Sequence, residues 1–167
     1  MNLSAIMADQ MTGTREWTLK LIADLKGDDW TFQPGRGMGH ALWLCGHLAC
    51  AEDLLVNIRA LNRPSVIDPV FGSHFAIGEE CKSAKDHQYP KAEEITRIMA
   101  MTHQQVVDAV REMSDATLAE PAFGKDGAPH PHYSDKRGLL SHCARHEAFH
   151  AGQIATIRRL LGKGFLR

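Results

Sequence analysis

The chain has 167 residues, the usual size of one domain and enough to bury a hydrophobic core without disulfide or metal staples. Its composition is ordinary for a soluble globular protein, and a formal net charge of -1 provides neither a basic surface for nucleic acid nor an acidic tail. The N-terminal sequence MNLSAIMADQ lacks the regions of a signal peptide, and no apolar run long enough to span a bilayer is expected. We therefore predict a single domain over residues 1–167, cytoplasmic, without a nucleic-acid or membrane partner.

Two amphipathic helices are predicted at the start of the chain. Apolar residues from Leu3 to about Lys26 recur mostly three or four positions apart, which favours a helix. Its predicted apolar face comprises Leu3, Met7, Met11, Trp17, Leu21 and Leu25. A glycine-rich turn follows, and a second helical pattern runs from about Gly39 to Leu61. The face predicted for this second helix comprises Leu44, Leu48, Leu55 and Ile58.

Two further helices are predicted, each after a long irregular connection. Periodicity is lost from Ser65 to Tyr89, and Pro90 is then the predicted first residue of a third helix. Its predicted apolar face comprises Ile95, Ile98, Met99, Thr102, Val106, Val110 and Met113. After a second irregular stretch, the last helix is predicted to begin at an N-cap at Ser134 or Asp135 and to stop at Gly162.

The predicted fold class is all-α, because the pattern contains four long helices, no credible strand and no internal repeat. A four-helix bundle is the leading architecture. The long middle connections allow crossovers, so simple up-and-down order is not required.

The four cysteines contain no CxxC pair. They are predicted to be reduced and mostly buried, because a free thiol inside a helical pattern behaves as a small apolar residue. Cys143, one turn before His146, is interpreted as a packing residue rather than a ligand or redox thiol.

Histidine is the anomaly of the composition, with 10 in the chain, and imidazole is the commonest metal ligand. The last helix carries His142, His146 and His150 at successive intervals of four residues, so they share one face. The outer two are about 12 Å apart along the helix axis, whereas one ion with bonds of ~2.1 Å is clasped by a pair one turn apart. Spacing alone leaves open which adjacent pair binds.

A third ligand is expected from a facing helix, as in other bundle metal sites. The second helix offers His40, at its start, and His47, deep in the apolar pattern. His47 is therefore the predicted third ligand. The segment HEAFH also matches the HExxH motif of zinc metalloproteases, but only 17 residues follow His150 to supply their downstream ligand.

Glu147, inside this motif, is a candidate catalytic residue whose role the sequence leaves open. It could accept a proton from a nucleophile in the site, orient a ligand histidine, or make a surface contact. One step along a helix turns a side chain by ~100°, which favours a role other than proton acceptor.

The sequences WLCGHLACAED and HEAFHAGQIATIRRLLGKG resemble the DinB-like (damage-inducible) superfamily, as does FG followed later by YPKAEEI. The resemblance extends over essentially the whole chain, in helix number and in motif order. It implies a four-helix bundle with long crossover connections and a divalent-metal site formed by His47, His146 and His150. The resemblance thus selects His146 with His150 as the binding pair.

Superfamily members of known activity are transferases and isomerases that use low-molecular-weight thiols such as mycothiol or bacillithiol, and metal-dependent hydrolases have been proposed. The resemblance therefore implies a metal-dependent enzyme for a small-molecule substrate, with thiol (S-)transfer ahead of hydrolysis and a thiol as cosubstrate. A non-catalytic metal-binding stress-response module is the alternative. Zinc or nickel is the favoured metal, with iron as a further candidate, because imidazole suits all of them.

Other residues near the predicted site have structural interpretations. Trp43, one turn before His47, would flank the site if it points inward, but a role as a core or bundle-end aromatic is favoured. Gln153 is assigned equally to a structural role and to a hydrogen bond with a ligand histidine. His130 and His132, on a loop before the last helix, are expected to be exposed.

A homodimer is also expected. The resemblance implies pairing through helices. The predicted first and third helices carry Met7, Met11, Met99 and Met101, whose flexible side chains suit a partner as readily as a core.

Overall fold

The computed structural model is a bundle of four long helices with two short helices in its connections. It describes residues 2–166, without the side chain of residue 126. In chain order the α-helices are α1 (Leu3–Ile22), α2 (Ala41–Asp53), α3 (Pro69–Ser73), α4 (Ala92–Arg111), α5 (Asp115–Leu118) and α6 (Lys136–Leu160). Apart from one isolated bridge between Phe123 and Pro129, residues 2–166 form no β-structure, so the all-α prediction is confirmed.

Two pairs of helices lie across the diagonals of this bundle. Helix α1 packs against α4 and α6, and α2 packs against the same two helices. The pair α1 and α2 therefore occupies one diagonal, and the pair α4 and α6 occupies the other. Of the two long middle connections expected to allow crossovers, residues 112–135 join helices across a diagonal, whereas residues 61–91 join neighbouring helices. The other diagonal connection is made by residues 23–40, which were predicted only as a turn.

Local signals set the ends of the last two long helices. Asp135 caps α6 by accepting a hydrogen bond from the Gly138 amide at 2.8 Å, and Gly162 ends it with a φ of 73°. Helix α4 begins later than predicted: Lys91 is its N-cap and Pro90 precedes it. Every residue of the predicted apolar face of this region is buried.

Helix α1 departs from its predicted face at Trp17, which is 38% exposed. Arg15 and Thr18 are buried instead. The helix also ends at Ile22 rather than near Lys26. An apolar pattern cannot identify a buried arginine, because its burial depends on partners from other parts of the chain.

Helix α2 continues as a π-helix over Leu54–Ala60. The amide of Leu61 donates to the carbonyl of Val56, five residues earlier, at 3.0 Å. This wider turn shifts the buried face, so Val56 is fully buried whereas Leu55 and Ile58, which were predicted to face the core, are half-buried. The buried face predicted for the second half of this helix was therefore wrong by about one residue.

The stretch Ala41–Ala60 is long and apolar enough to cross a membrane by length and composition, which the sequence analysis did not expect. Most of it is buried inside the bundle. The core helix of a soluble protein meets the same criteria, and the burial of this stretch accounts for its apolar composition.

A buried ion network joins the four long helices. Arg15 on α1 donates from Nε to Glu147 on α6 at 2.6 Å and from Nη2 to Glu52 on α2 at 3.0 Å. Its Nη1 donates to the carbonyl of Met99 on α4 at 3.0 Å, and Nδ1 of His103, also on α4, lies 2.7 Å from the second oxygen of Glu52. The Arg15, Glu52 and Glu147 side chains are 3%, 3% and 6% exposed, so the guanidinium replaces water as partner of both carboxylates.

Arg15→Met should be strongly destabilising, because it leaves two buried carboxylates without this cation. We expect the free energy of unfolding, measured by urea denaturation, to fall by about 3–5 kcal/mol. Arg111→Met is the matched control, because Arg111 pairs with Asp9 where the side chains are 44% and 67% exposed. Removing such an exposed pair costs about 0–1 kcal/mol. Equally small losses in the two variants would contradict a stabilising role for the network.

Candidate metal centre

Three histidines from two packed helices bring their Nε2 atoms together. His47 lies in the middle of α2, and His146 and His150 lie one turn apart on α6. Nε2 of His146 is 3.3 Å from Nε2 of His47 and 3.1 Å from Nε2 of His150. Among residues 2–166, this is the one set of three or more histidine, cysteine, aspartate or glutamate side chains whose ligand atoms all lie within 4.8 Å of one another.

These separations fit a shared divalent ion. Two nitrogens bonded to one ion at ~2.1 Å are about 3.0 Å apart at a right angle and about 3.4 Å apart at the tetrahedral angle. The two separations of 3.1 and 3.3 Å fall between these values. The predicted cluster could therefore hold a metal ion.

Burial keeps the three imidazoles of the cluster uncharged. It lowers the pKa of His47 to about 4 and that of His146 to about 3, and neighbouring histidines of the cluster lower both values further. Burial also lowers the pKa of His150, against the raising influence of Gln153 and Glu147. The three imidazoles are therefore neutral at pH 7, the form that binds metal.

Gln153 fixes the tautomer of His150. Its Oε1 lies 2.6 Å from Nδ1 of His150. Because an amide oxygen only accepts, Nδ1 carries the proton and Nε2 presents its lone pair to the cluster. Of the two roles considered for Gln153, the structure shows the hydrogen bond to a candidate ligand.

Two aromatic residues pack on α2 at His47 and at the glycine before it. The Trp43 ring stacks on it, with centroids 4.9 Å apart and an interplanar angle of 8°. Phe75, which follows α3, packs on α2 at Gly46, where an added Cβ would lie 2.3 Å from the phenyl ring. Glycine at this position thus permits the contact. Nδ1 of His47 is buried without a hydrogen-bond partner among the described residues. The backbone of Phe75 nevertheless raises the pKa of His47, against the lowering effect of burial.

Glu147 is directed into the ion network. Its Oε1 and Oε2 lie 2.6 and 3.1 Å from Nε and Nη2 of Arg15. Both oxygens are thereby engaged by one guanidinium, and the residue is only 5% exposed. The contact gives Glu147 a structural partner, and its catalytic role stays a prediction.

A cavity of about 350 Å³ lies beside His150, within the size range of small-molecule sites. Its walls combine apolar side chains with several polar ones: Pro34, Met38, Trp43, Leu44, Ile157, Glu79, Cys81, Gln153 and Thr156. Gln33 joins two parts of this wall, because its Nε2 donates to the carbonyls of Met38 at 2.7 Å and Cys81 at 3.1 Å. Gln33 was not predicted from the sequence, because its partners lie in two irregular connections.

His142 and His40 lie outside the cluster. The ring of His142 is 5.7 Å from that of His146, centroid to centroid, but His142 is not among the converging ligands. His40 is the N-cap of α2, and its Nδ1 accepts a hydrogen bond from the Trp43 amide at 3.0 Å. His40 is therefore a fully buried cap at the start of α2.

The loop histidines differ in exposure. His132 is exposed, whereas His130 is half-buried, with its ring centroid 4.7 Å from that of Tyr133. Neither belongs to the converging set. The expectation of exposure is thus met by one of the two.

The four cysteines are free thiols, and Cys45, Cys81 and Cys143 are buried. Burial raises the pKa of Cys45 and Cys50 to about 12 and holds that of Cys143 well above its ordinary value. Protonated buried thiols suit packing rather than metal binding.

The diagonal arrangement of the long helices and the three histidines that converge from two of them define the class of the protein. It is a helical-bundle protein with a candidate metal centre. The family model of the DinB superfamily matches residues 10–154, and the chain therefore belongs to that superfamily. In fold it is similar to a conserved protein from Enterococcus faecalis of known crystal structure, with a TM-score of 0.75 and 15% identity. The match covers 98% of this chain and 99% of the other, and at this identity it shows the fold alone. Comparison with curated proteins gives no significant match.

The lowered histidine pKa values predict how the stability of the metal-free protein depends on pH. An unfolded chain protonates these rings near the ordinary value of 6.5, whereas His47 and His146 in the folded chain stay neutral down to about 4 and about 3. Since the unfolded state binds more protons in this interval, the free energy of unfolding should fall as the pH drops from about 6.5 to about 4.

Thermal melting of chelator-treated protein across this pH range measures the effect. His146→Gln removes one titrating ring of the cluster and should show a shallower fall. The same slope in the variant and the parent protein would mean that the pKa of His146 is not lowered by folding.

Proposed function

We propose that the protein is a divalent-metal-dependent enzyme of the S-transferase type, acting on a small molecule with a low-molecular-weight thiol as cosubstrate. The observation that carries this proposal is the convergence of three neutral imidazoles, from His47, His146 and His150, beside a cavity of small-molecule size. Three protein ligands with further coordination positions open are typical of catalytic rather than structural sites. A divalent ion held there would lower the pKa of a thiol or water in an open position.

The surroundings of the cluster favour thiol transfer over hydrolysis. A thiol ionises with a pKa of about 8.5, whereas water has a pKa of about 15.7, so water depends more on a nearby base. Glu147, the carboxylate adjacent to a ligand, is engaged by Arg15 on both oxygens. Trp43 and Met38 offer the acceptor substrate an apolar wall, and Gln153 holds the proton on Nδ1 of His150.

Metal-dependent hydrolysis is the second candidate. Glu79 lies in the cavity wall with His150 and provides a carboxylate that could accept a proton there. A non-catalytic metal-binding stress-response module would need no open position. The cavity beside His150 therefore supports the enzyme over the module.

Zinc or nickel, with iron as a further candidate, suits a site of three imidazoles.

We also propose a cytoplasmic homodimer, without nucleic-acid or membrane partners, in line with a net charge of -1. The methionines give the dimer limited support: Met7, Met11 and Met99 belong to the core, and Met101 is 45% exposed.

Metal content tests the ligand set directly. His47→Ala, His146→Ala and His150→Ala should each sharply lower the metal content of protein purified without an affinity tag, because two imidazoles hold an ion less tightly than three. His142→Ala is the matched control and should keep it. His103→Ala should also keep it, because the His103 ring contacts Glu52 rather than the cluster. Elemental analysis gives the stoichiometry, and full occupancy in His47→Ala would rule out the proposed site.

Chelation should also lower the melting temperature of the parent protein, because an ion that binds only the folded state stabilises it.

Glu147→Gln separates a structural from a catalytic role. The amide removes the charge that pairs with Arg15, so we expect a less stable protein whose metal content and S-transfer rate, per folded molecule, are largely kept. Turnover is measured in a screen of thiol cosubstrates, with urea denaturation and elemental analysis on the same samples. A stable, fully metallated but inactive variant would identify Glu147 as the proton acceptor and would place hydrolysis above thiol transfer.

A further inference from the structure

A second cavity lies between α1 and α6, and we name it the α1–α6 groove. It has a volume of about 520 Å³, compared with about 350 Å³ for the cavity beside His150. Residues 164–166, after the end of α6, contribute to its wall. A volume of this size is typical of small-molecule sites, and the proposed reaction does not use the groove.

Two glycines in the middle of helices leave this groove open. Gly13 on α1 and Gly152 on α6 both line it, although glycine weakens a helix relative to alanine. A Cβ added at either position would meet no atom within 4 Å, and neither residue has a positive φ. Gly46 differs, because there the contact with Phe75 excludes a side chain. Neither packing nor backbone conformation thus requires glycine at positions 13 and 152.

Much of the lining is apolar and incompletely covered. Trp17 is 38% exposed, Phe165 is 71% exposed and Leu166 is 37% exposed. Leu21 and Ala155 also line the groove. An apolar ligand would remove this surface from water, which is the main source of affinity in such sites.

Positive charge accompanies this apolar surface. Lys20 and Arg159 line the groove, are exposed, and form no ion pair within residues 2–166. Arg158 also lines it, but its guanidinium is paired with Asp24. Glu16 is the single acidic residue of the lining. The Arg159 guanidinium lies over the Phe165 ring, 5.9 Å from its centroid, and neither cation has an anionic partner among the described residues. The two cations therefore favour an anionic group on the ligand.

We propose that the α1–α6 groove binds an amphipathic carboxylate, such as a medium-chain fatty acid or an aryl carboxylate. The apolar body contacts Trp17 and Phe165, and the carboxylate lies near Lys20 and Arg159. Gly13 and Gly152 provide the space for the body. This site does not depend on the proposed metal chemistry.

The test uses 8-anilinonaphthalene-1-sulfonate, an aromatic anion whose fluorescence rises in apolar sites, as the probe on the full chain. We expect one probe site per chain. Decanoate should displace the probe at lower concentration than decanol, and decyltrimethylammonium should not displace it. Gly152→Leu fills the groove and should abolish probe binding; if this variant does not fold, Gly152→Ala, which has room for its Cβ, should weaken binding without lowering the melting temperature.

Variants of the two cations test whether the groove recognises the carboxylate, and two exposed positions elsewhere provide controls. Lys20→Gln and Arg159→Gln should each weaken decanoate binding about two- to five-fold, the effect of one exposed charge contact. Arg97→Gln removes the same charge from an exposed position on α4, and Met101→Ala removes an exposed apolar side chain elsewhere. Both controls should leave the affinities unchanged.

Three results would overturn the proposal. Equal displacement by decanoate and decanol, with no effect of either charge variant, would exclude recognition of an anion. Probe binding that survives Gly152→Leu would place the probe outside the groove. Self-association that Gly152→Leu abolishes, without probe binding to the parent protein, would show that a second copy of the chain occupies the groove.

Discussion

Arg15 donates to carboxylates on both helices that carry the candidate metal ligands. Glu52 lies five residues after His47 on α2, and Glu147 directly follows His146 on α6, so one guanidinium links the two helices close to the cluster. Replacing a whole buried ion pair by apolar residues is often harmless, whereas removing one partner leaves an uncompensated charge. The network thus specifies one alignment of α2 and α6, the alignment in which the imidazoles converge.

The features that the sequence predicted well are those that depend on neighbours within about one helical turn. The cap of α6 at Asp135 and its stop at Gly162 follow from local hydrogen bonding and backbone conformation. The i, i+4 spacing places His146 and His150 on one face of the helix, however the helix packs, because helix geometry alone sets this relation. His47 was identified by its place in an apolar pattern together with the family resemblance, which also chose between the possible pairs.

The features that the sequence analysis missed depend on contacts between distant segments. Arg15 takes an inward position because its partners come from three other helices, whereas Trp17 is left partly in solvent. The one-position shift at Val56 arises from a π-helical turn that an assumed period of 3.6 residues cannot reveal. Short helices such as Pro69–Ser73 contain too few residues to show any period, and the Gln33 contacts require two irregular segments to meet.

The stacking of Trp43 on His47 gives the molecule an optical property. The indole and imidazole planes are nearly parallel at 4.9 Å, so the excited state of Trp43 is sensitive to the electronic state of His47. A proton or an ion on that imidazole draws electron density from the ring and changes the emission of the indole. The chain has 3 tryptophans, and this one stacks directly on a candidate ligand. Intrinsic fluorescence thus provides a label-free reporter of what His47 binds.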